Sequence, residues 1–327
     1  MKKVVFVALI AVLPLAALFA NGEAESDSDA LEIHFLIPGG AGGGWDTTAR
    51  GVGQVLVDTD LISNASYENM SGGGGGVAIA HLINTANSNL AERTLMVNST
   101  PIITRSLSNV FPQSFRDLVP VAGVIADYQA IVVRNDSPYR DWQSVVDDFL
   151  ADSSSVKIAG GSAVGSLDHI SAALAFQQSG GDPRAVEYIA YDAGGDAMTA
   201  LLSGEADLLS TGAGEALELV AADQVRILIV TAPERLSSAP DVPTFLEQGF
   251  DVVFANWRGF FAPPGTTAEQ VDRYNELFVA MYDTVEWETT RTRNGWINLY
   301  YPGDDFLTFL EEQEVAIGTL MTDLGFL

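Results

Sequence analysis

The segment whose residues most clearly suggest a functional site is glycine-rich. It comprises residues 37–50 and reads IPGGAGGGWDTTAR. Five of the six residues after Pro38 are glycine, and a helical pattern follows from Asp46. Glycine-rich turns that open a helix let backbone N–H groups approach an anion, and the helix start adds partial positive charge. A nucleotide is a poor candidate, because the segment lacks the G-x-G-x-x-G spacing and no Lys-Ser or Lys-Thr follows its last glycine. The segment predicts either a site for a small anion or a tight turn in which Asp46 caps the helix.

The same arrangement occurs twice more along the chain. The segments GGSAVGSLDH (160–169) and YDAGGDAMT (191–199) each lie between a strand-like and a helix-like stretch. Because the carboxyl ends of parallel strands meet at one edge of a sheet, we expect the three loops to converge on one cleft. Helix starts and hydroxyl groups at that edge would bind a small carboxylate without needing a basic side chain.

The remaining residues give little indication of a catalytic site or a metal site. The three histidines, His34, His81 and His169, are scattered and form no metal-ligand spacing. Asp168 and His169 lie near two serines, but no G-x-S-x-G motif occurs in the chain, so a hydrolase is disfavoured. Arg50 is expected to pair with Asp46 on one helix face.

Two tryptophans and one arginine near these segments allow more than one interpretation. Trp45 is expected either to stack on a ligand or to close the cleft. Trp257 and Arg258 are assigned to packing at a hinge and not to ligand contact.

The N-terminus has the pattern of a secretory signal, with two lysines before an apolar stretch that a proline interrupts. This pattern predicts a signal peptide over residues 1–20, cleaved after Ala20 or alternatively after Ala24. The stretch is too short for a permanent anchor helix. Residues 21–29 are polar and predict a disordered spacer.

Composition indicates an exported protein with an acidic surface. The 327 residues carry 43 acidic and 16 basic side chains, a formal net charge of −27. Such a charge repels nucleic acid and anionic lipid, so neither is an expected partner. The chain has no cysteine, hence no disulfide and no cysteine for a lipid anchor. A soluble protein of a bacterial cell envelope fits these features.

Strand-like and helix-like stretches alternate along the chain, which predicts an α/β fold with parallel sheets. The only low-complexity segment is a run of five glycines, residues 72–76. The predicted strands are 31–38, 94–99, 130–134, 156–161, 186–191, 206–211 and 225–232, and the predicted helices are a segment from Asp46 onward, 142–151, 167–178, 196–203 and 214–222.

Several motifs together resemble one family. These are IPGGAGGGWDTTAR, the glycine run, YDAGGDAMTALLSGEADLL, DVPTFLEQGF and NWRGFFAPPGTT, spread over residues 31–327. They resemble, in order, the tripartite tricarboxylate transporter receptors, also called TctC or Bug-type solute-binding proteins. The resemblance implies a periplasmic protein that captures a small organic anion, a di- or tricarboxylate, and delivers it to a membrane permease with large and small subunits.

The resemblance also implies the architecture: a two-lobed periplasmic binding protein of type II (Venus-flytrap), with a mainly parallel sheet in each lobe. Lobe one is expected to comprise residues 30–126 and 256–327, and lobe two residues 127–255. The chain would then cross between the lobes near Ala126 and Ala255. A monomer without enzymatic activity, cofactor or metal is expected.

In this family, the loop after the first strand and a tyrosine-glycine loop of the second lobe hold the ligand carboxylates, partly through water. These loops correspond to residues 39–47 and 191–197, with Asp46 at the family's aspartate. The chain departs from the family by its extra glycines, by Trp45, by an added residue before Gly194, and by Asn-Leu-Ala-Glu-Arg (89–93) in place of Pro-Asp-Gly. The carboxylate therefore stays unidentified. With the strand ends, the candidate ligand-binding residues are Gly40, Ala41, Gly42, Gly43, Gly44, Trp45, Asp46, Thr47, Ser99, Gly161, Ser162, Ser166, Asp168, His169, Tyr191, Gly194, Gly195, Asp196 and Thr211.

The sequence leaves two alternative functions open. A sensory receptor that presents the bound solute to a signalling membrane protein would share all of these features. An envelope hydrolase would need a catalytic set that the sequence does not show.

Overall fold

The computed structural model describes residues 31–327, which form ten strands and ten α-helices. The predicted signal peptide, its cleavage site and the spacer lie outside the described residues. The strands are β1 (Glu32–Ile37), β2 (Asn64–Asn69), β3 (Thr94–Ser99), β4 (Val119–Arg134), β5 (Lys157–Gly160), β6 (Glu187–Ala190), β7 (Leu208–Gly212), β8 (Val225–Val230), β9 (Ala255–Ala262) and β10 (Ile297–Pro302). The helices are α1 (Gly44–Asp58), α2 (Gly76–Thr85), α3 (Pro101–Leu107), α4 (Trp142–Ala151), α5 (Leu167–Gln178), α6 (Gly194–Ser203), α7 (Ala213–Ala221), α8 (Ala268–Tyr282), α9 (Val285–Arg293) and α10 (Gly303–Leu324).

Every strand and helix predicted from the sequence pattern is present in the structure. With one exception, the ends differ from the predicted ends by a few residues at most. The predicted helices 142–151 and 167–178 match α4 and α5 residue for residue. The exception is the predicted strand 130–134, which is only the end of the 16-residue strand β4. The first half of β4 was not predicted because its apolar residues run on without alternation, as is typical of a strand buried on both faces.

The strands form two groups that share β4. One group contains β2, β1, β3, β9, β4 and β10, and the other contains β6, β5, β7, β4 and β8. Residues 119–128 of β4 pair with β9 in the first group, whereas residues 129–134 pair with β7 and β8 in the second. The chain thus passes from one group to the other in the middle of β4 and returns just before β9. The lobe boundaries near Ala126 and Ala255 stay a prediction.

The sheets are mixed, which corrects the expectation of a mainly parallel sheet in each lobe. Parallel pairs join β1 to β2 and β3, and β5 to β6 and β7. Every pair made by β4 or β9 is antiparallel. The reason is that these two strands carry the chain between the two groups in opposite directions, which strand–helix alternation alone does not reveal.

Apolar side chains on both faces of the strands hold the helices in place. In β1, Phe35 belongs to a core packed under α1, α8 and α9, while its neighbour Leu36 belongs to a core on the other face with α2 and α10. In β7, Leu208 and Leu209 likewise face different cores. Burial on both faces leaves the loops at the carboxyl ends of the parallel strands as the places where polar groups collect. Within residues 31–327, no helix is both long enough and apolar enough to cross a membrane.

Candidate functional site

A cavity with about 560 Å³ of empty space, partly open to solvent, lies where the three predicted loops meet. We call it the first cavity. Gly43 and Gly44 contribute from the first loop, Gly161 from the second and Gly194 from the third. The strand ends contribute the hydroxyl groups of Ser99 and Thr211. The expected convergence of the three loops is therefore seen in the structure.

The loops approach each other so closely that particular positions require glycine. A Cβ atom added to Gly161 would stand 2.3 Å from the backbone nitrogen of Gly194, a distance no side chain tolerates. A Cβ atom added to Gly40 would stand 3.3 Å from the Cβ atom of Ala193. Backbone thus meets backbone between Gly161 and Gly194, and glycine permits this close approach.

Two helices begin at the first cavity without a side-chain cap. The N-cap residues of α1 and α6 are Gly43 and Ala193, and neither helix start receives a hydrogen bond from its N-cap side chain. Helices α4, α8 and α9 start with capping bonds from Asp141, Thr267 and Thr284, whereas α2, α3, α5, α7 and α10 also lack a side-chain cap. The first-turn N–H groups of α1 and α6 are therefore not occupied by an N-cap side chain, and both helix dipoles favour an anion.

Asp46 fixes the first loop from inside the fold. Its Oδ2 accepts the backbone N–H of Gly42 at 2.9 Å, and its Oδ1 accepts from Arg50 Nε at 2.8 Å and from Asn69 Nδ2 at 3.0 Å. The side chain is buried and does not line the first cavity. The expected pair with Arg50 is confirmed, and Asp46 positions the loop instead of facing a ligand.

Trp45 extends across the wall of the first cavity and donates from Nε1 to Ser99 Oγ at 2.9 Å. This bond ties the start of α1 to the carboxyl end of β3. The tryptophan therefore forms part of the wall itself.

Arg258 also lines the first cavity, which corrects the expectation that it serves only hinge packing. Its guanidinium is 3% exposed, and Nη2 lies 3.2 Å from Asp127 Oδ2 and 3.5 Å from Glu215 Oε1. Nη1 donates to Thr48 Oγ1 at 3.2 Å. A Cβ atom on Gly44 would stand 2.2 Å from Nη2, so the arginine lies directly against the start of α1. The site has a buried cation, although that cation already has two carboxylate partners.

Three carboxyl groups lie near this guanidinium: those of Asp127 and Asp168 are buried, and that of Glu215 is partly buried. Burial raises the pKa of Asp127 to about 7, with Arg258 opposing the rise and Glu215 adding to it. Burial, and then the charge of Glu215, raises the pKa of Asp168 to about 7. Burial also raises the pKa of Glu215. Asp127 and Asp168, which together with Glu215 we call the inner wall, therefore have pKa values near neutral pH.

The structure separates the predicted site residues into three groups. Those that line the first cavity are Gly40, Gly43, Gly44, Trp45, Ser99, Gly161, Ser162, Asp168, Gly194 and Thr211. Ser166 and Tyr191 line a second cavity beside it. Ala41, Gly42, Asp46, Thr47, His169, Gly195 and Asp196 line neither.

The residues of the last group make bonds within the protein or face solvent. Thr47 Oγ1 donates to the carbonyl of Gly43 at 3.1 Å. His169 Nδ1 accepts the N–H of Gly165 at 3.0 Å, and the ring stacks on Tyr188 with centroids 4.5 Å apart. Burial lowers the pKa of His169 to about 4, so the ring is neutral at physiological pH. The cleft-lining role expected for His169 is not seen, because packing turns its ring into the fold.

The hydrogen bonds of Ser162 and His169 are also relevant to the alternative that the protein is a hydrolase. Ser162 Oγ accepts the N–H of Asp168 at 3.0 Å, while His169 Nδ1 is occupied by Gly165. Neither residue bonds to the other, so this serine has no histidine base beside it. Within residues 31–327, no group of three or more His, Cys, Asp or Glu residues is placed to hold a metal ion.

Sequence reasoning missed several residues that line the first cavity. Asp192, Glu215 and Asn256 are among them, together with Gln129 and Arg258. Asp192 lies in the motif YDAGGDAMTALLSGEADLL, and Asn256 and Arg258 lie in NWRGFFAPPGTT, whereas Gln129 and Glu215 lie in no motif. Strand β4 pairs with β7 and with β9, and this pairing brings Arg258 near Gln129 and Glu215. The available signal was the position of Asp192, Asn256 and Arg258 within these motifs.

Two sheets joined by crossing strands, with a cavity lined by helix starts from both, define the fold of the periplasmic binding proteins. The family model described as tripartite tricarboxylate transporter family receptor matches residues 49–326. The chain belongs to this family.

Individual relatives agree with this assignment. Protein BugT of Bordetella pertussis (strain Tohama I) is 29% identical over 269 residues, which cover 79% of each chain. MatC from Rhodopseudomonas palustris, solved with malate, has a TM-score of 0.77 at 22% identity, covering 88% of this chain and 98% of that one. An R. palustris protein solved with adipate has a TM-score of 0.78 at 20% identity, covering 90% and 97%. These two structures establish the likeness of fold.

Proposed function

We propose that the protein is a periplasmic receptor that captures a small di- or tricarboxylate in the first cavity and delivers it to a tripartite tricarboxylate-type permease with large and small membrane subunits. In this proposal the mature chain, without its signal peptide, is a monomer with no membrane anchor. Membership of the receptor family supports the transport role. The malate and adipate found with two proteins of the same fold support the ligand class.

The observation that carries the proposal is the pair of uncapped helix starts. Gly44 at the start of α1 and Gly194 at the start of α6 both line the first cavity. A carboxylate between them would accept N–H bonds from two helices whose dipoles both favour negative charge. Ser99 and Ser162 line the same space, and their hydroxyl groups add directional donors. Thr211 lines it too, but its Oγ1 donates to Glu215 Oε2 at 3.0 Å.

Arg258 has a supporting part in this mechanism. It contacts Asp127 and Glu215 and lies against the start of α1, so it offsets negative charge behind the helix rather than forming a free ion pair with ligand. When a carboxylate enters, protons on Asp127 and Asp168 would reduce repulsion from the wall. Ligand binding and proton binding are then linked.

The test is titration calorimetry of the mature protein with malate, succinate, adipate and citrate in metal-free buffer. At least one of these acids should bind and raise the melting temperature. Linkage predicts a stabilisation of about 2.7 kcal/mol at a ligand concentration a hundredfold above Kd. Sugars and amines of similar size serve as controls. Tight binding of a control together with no response to any carboxylate would refute the proposal.

A further inference from the structure

A second cavity adjoins the first and has its own polar lining. It contains about 500 Å³ of empty space. Its far side is formed by Arg105, by Ser71 and by the glycine run that precedes α2. The residues that line both cavities are Gly39, Trp45, Pro101, Gly161, Ser162 and Asp192. A ligand longer than the first cavity could therefore extend along this common wall.

Arg105 is a buried cation without a carboxylate partner. The residue is 5% exposed, its Nη1 donates to the carbonyl of Val164 at 3.0 Å, and its Nη2 is buried with no hydrogen-bond partner. No carboxylate of residues 31–327 forms an ion pair with it, unlike Arg258 in the first cavity. Burial lowers the pKa of Arg105, as expected for a charge that lacks compensation. An anion in the second cavity would supply the missing partner.

The glycine run brings backbone against this arginine. Gly72, Gly73, Gly74 and Gly75 all have positive φ angles, between 58° and 129°, which other residues rarely adopt. A Cβ atom on Gly74 would stand 3.2 Å from Arg105 Nε, so glycine is what allows the close approach. Turns of this kind, followed directly by the start of α2, direct N–H groups and a positive helix end toward an anion.

We propose that Arg105 and the glycine run hold the second anionic group of an extended ligand whose first carboxylate lies in the first cavity. The proposal rests on the proposed function and refines it. The ligand class becomes an acyclic acid with negative groups at both ends. A monocarboxylate of the same length would leave Arg105 unpaired and gain nothing from the second cavity.

The test compares two acids of equal chain length, adipate with two carboxylates and hexanoate with one. Calorimetry on wild type, Arg105→Gln and Arg116→Gln separates the local effect from the change in net charge. Arg116 is a half-exposed arginine that pairs with Glu311 and Glu314 and lines neither cavity. Arg105→Gln should weaken adipate binding about ten- to a hundredfold and change hexanoate binding less than about twofold. Arg116→Gln should change both by less than about twofold.

Equal loss of adipate and hexanoate binding in Arg105→Gln would overturn the inference, because it would show a general structural effect. Unchanged adipate binding would overturn it as well. If Arg105→Gln does not fold, Arg105→Lys keeps the charge but not the forked donor, and a selective loss of adipate affinity is again expected.

If neither acid binds wild type, adipate is not a ligand, and binding of malate, succinate or citrate decides the proposed function separately. Sulfate then tests the Arg105 site alone. Sulfate should raise the melting temperature of wild type more than that of the Arg105 variant. An equal rise in the two proteins would overturn the assignment of an anion site.

Discussion

Replacement of Gly43 by proline or by alanine tests whether backbone N–H groups at the start of α1 hold the ligand. Gly43 is the N-cap of α1, and its φ of −78° is close to the value that proline imposes. A Cβ atom at this position meets no atom closer than 3.5 Å. Its N–H makes only a long bond, 3.4 Å, to the carbonyl of Gly40. Proline removes this donor, whereas alanine keeps it.

We expect Gly43→Pro to weaken binding of the tightest carboxylate by about ten- to a hundredfold. The estimate follows from the loss of one hydrogen bond to a charged group, about 1.5–3 kcal/mol, with about 1.4 kcal/mol for each factor of ten. Gly43→Ala should lose less than about threefold, because the added methyl group has room and the N–H remains. Calorimetry gives both values, and circular dichroism confirms that each variant folds. Equal affinities for the proline and alanine variants would refute recognition through this N–H group.

Further predictions concern pH, packing and the buried arginine. The affinity for carboxylates should fall as pH rises from about 6 to 8. The reason is that Asp127 and Asp168, each with a pKa of about 7, then ionise and repel the anion. Calorimetry in buffers of different ionisation enthalpy should show proton uptake on binding. Gly161→Ala should destabilise the protein by about 1–3 kcal/mol in urea unfolding, while Gly195→Ala, at an open helical position, should be neutral or slightly stabilising. Arg258→Gln should lower the free energy of unfolding by about 3–5 kcal/mol, and more at pH 8 than at pH 6, because Asp127 is then ionised without its partner.

Each of these predictions has an outcome that contradicts it. Proton release on carboxylate binding would show that the inner wall loses protons, the reverse of the expected linkage. A Gly161 variant as stable as wild type would mean that the two loops separate readily. For Arg258, a loss of stability that does not depend on pH would indicate a packing role and not a compensated charge.

The sequence alone determined the α/β alternation and the three glycine loops. Period-two apolar stretches that end at glycine or proline indicate strands, and small residues before an amphipathic stretch indicate a helix start. These signals are local and do not show which loops meet. The convergence of residues 39–45, 161–168 and 192–194 was predicted from the rule that the carboxyl ends of parallel strands meet at one edge of a sheet. The motifs were also sufficient to indicate the receptor family.

Tertiary structure decided which residues of those loops face the first cavity. Asp46 and His169 had the chemistry of ligand contacts, yet Asp46 bonds to its own loop and His169 packs on Tyr188. The direction of a side chain depends on neighbours far away in the sequence, and no local pattern encodes them. The loop was therefore predictable, but its contact residues were not.

The charges of the site were also decided only by the tertiary structure. Asp127, Glu215 and Arg258 are separated by 43 residues or more, and Arg105 reaches its cavity from a helix that no motif marked. Antiparallel pairing of β4 with β9 places Arg258 beside Asp127, and burial then shifts the pKa of that carboxyl group. Such shifts depend on the distance between charges and on the exclusion of water, and both are properties of the folded chain.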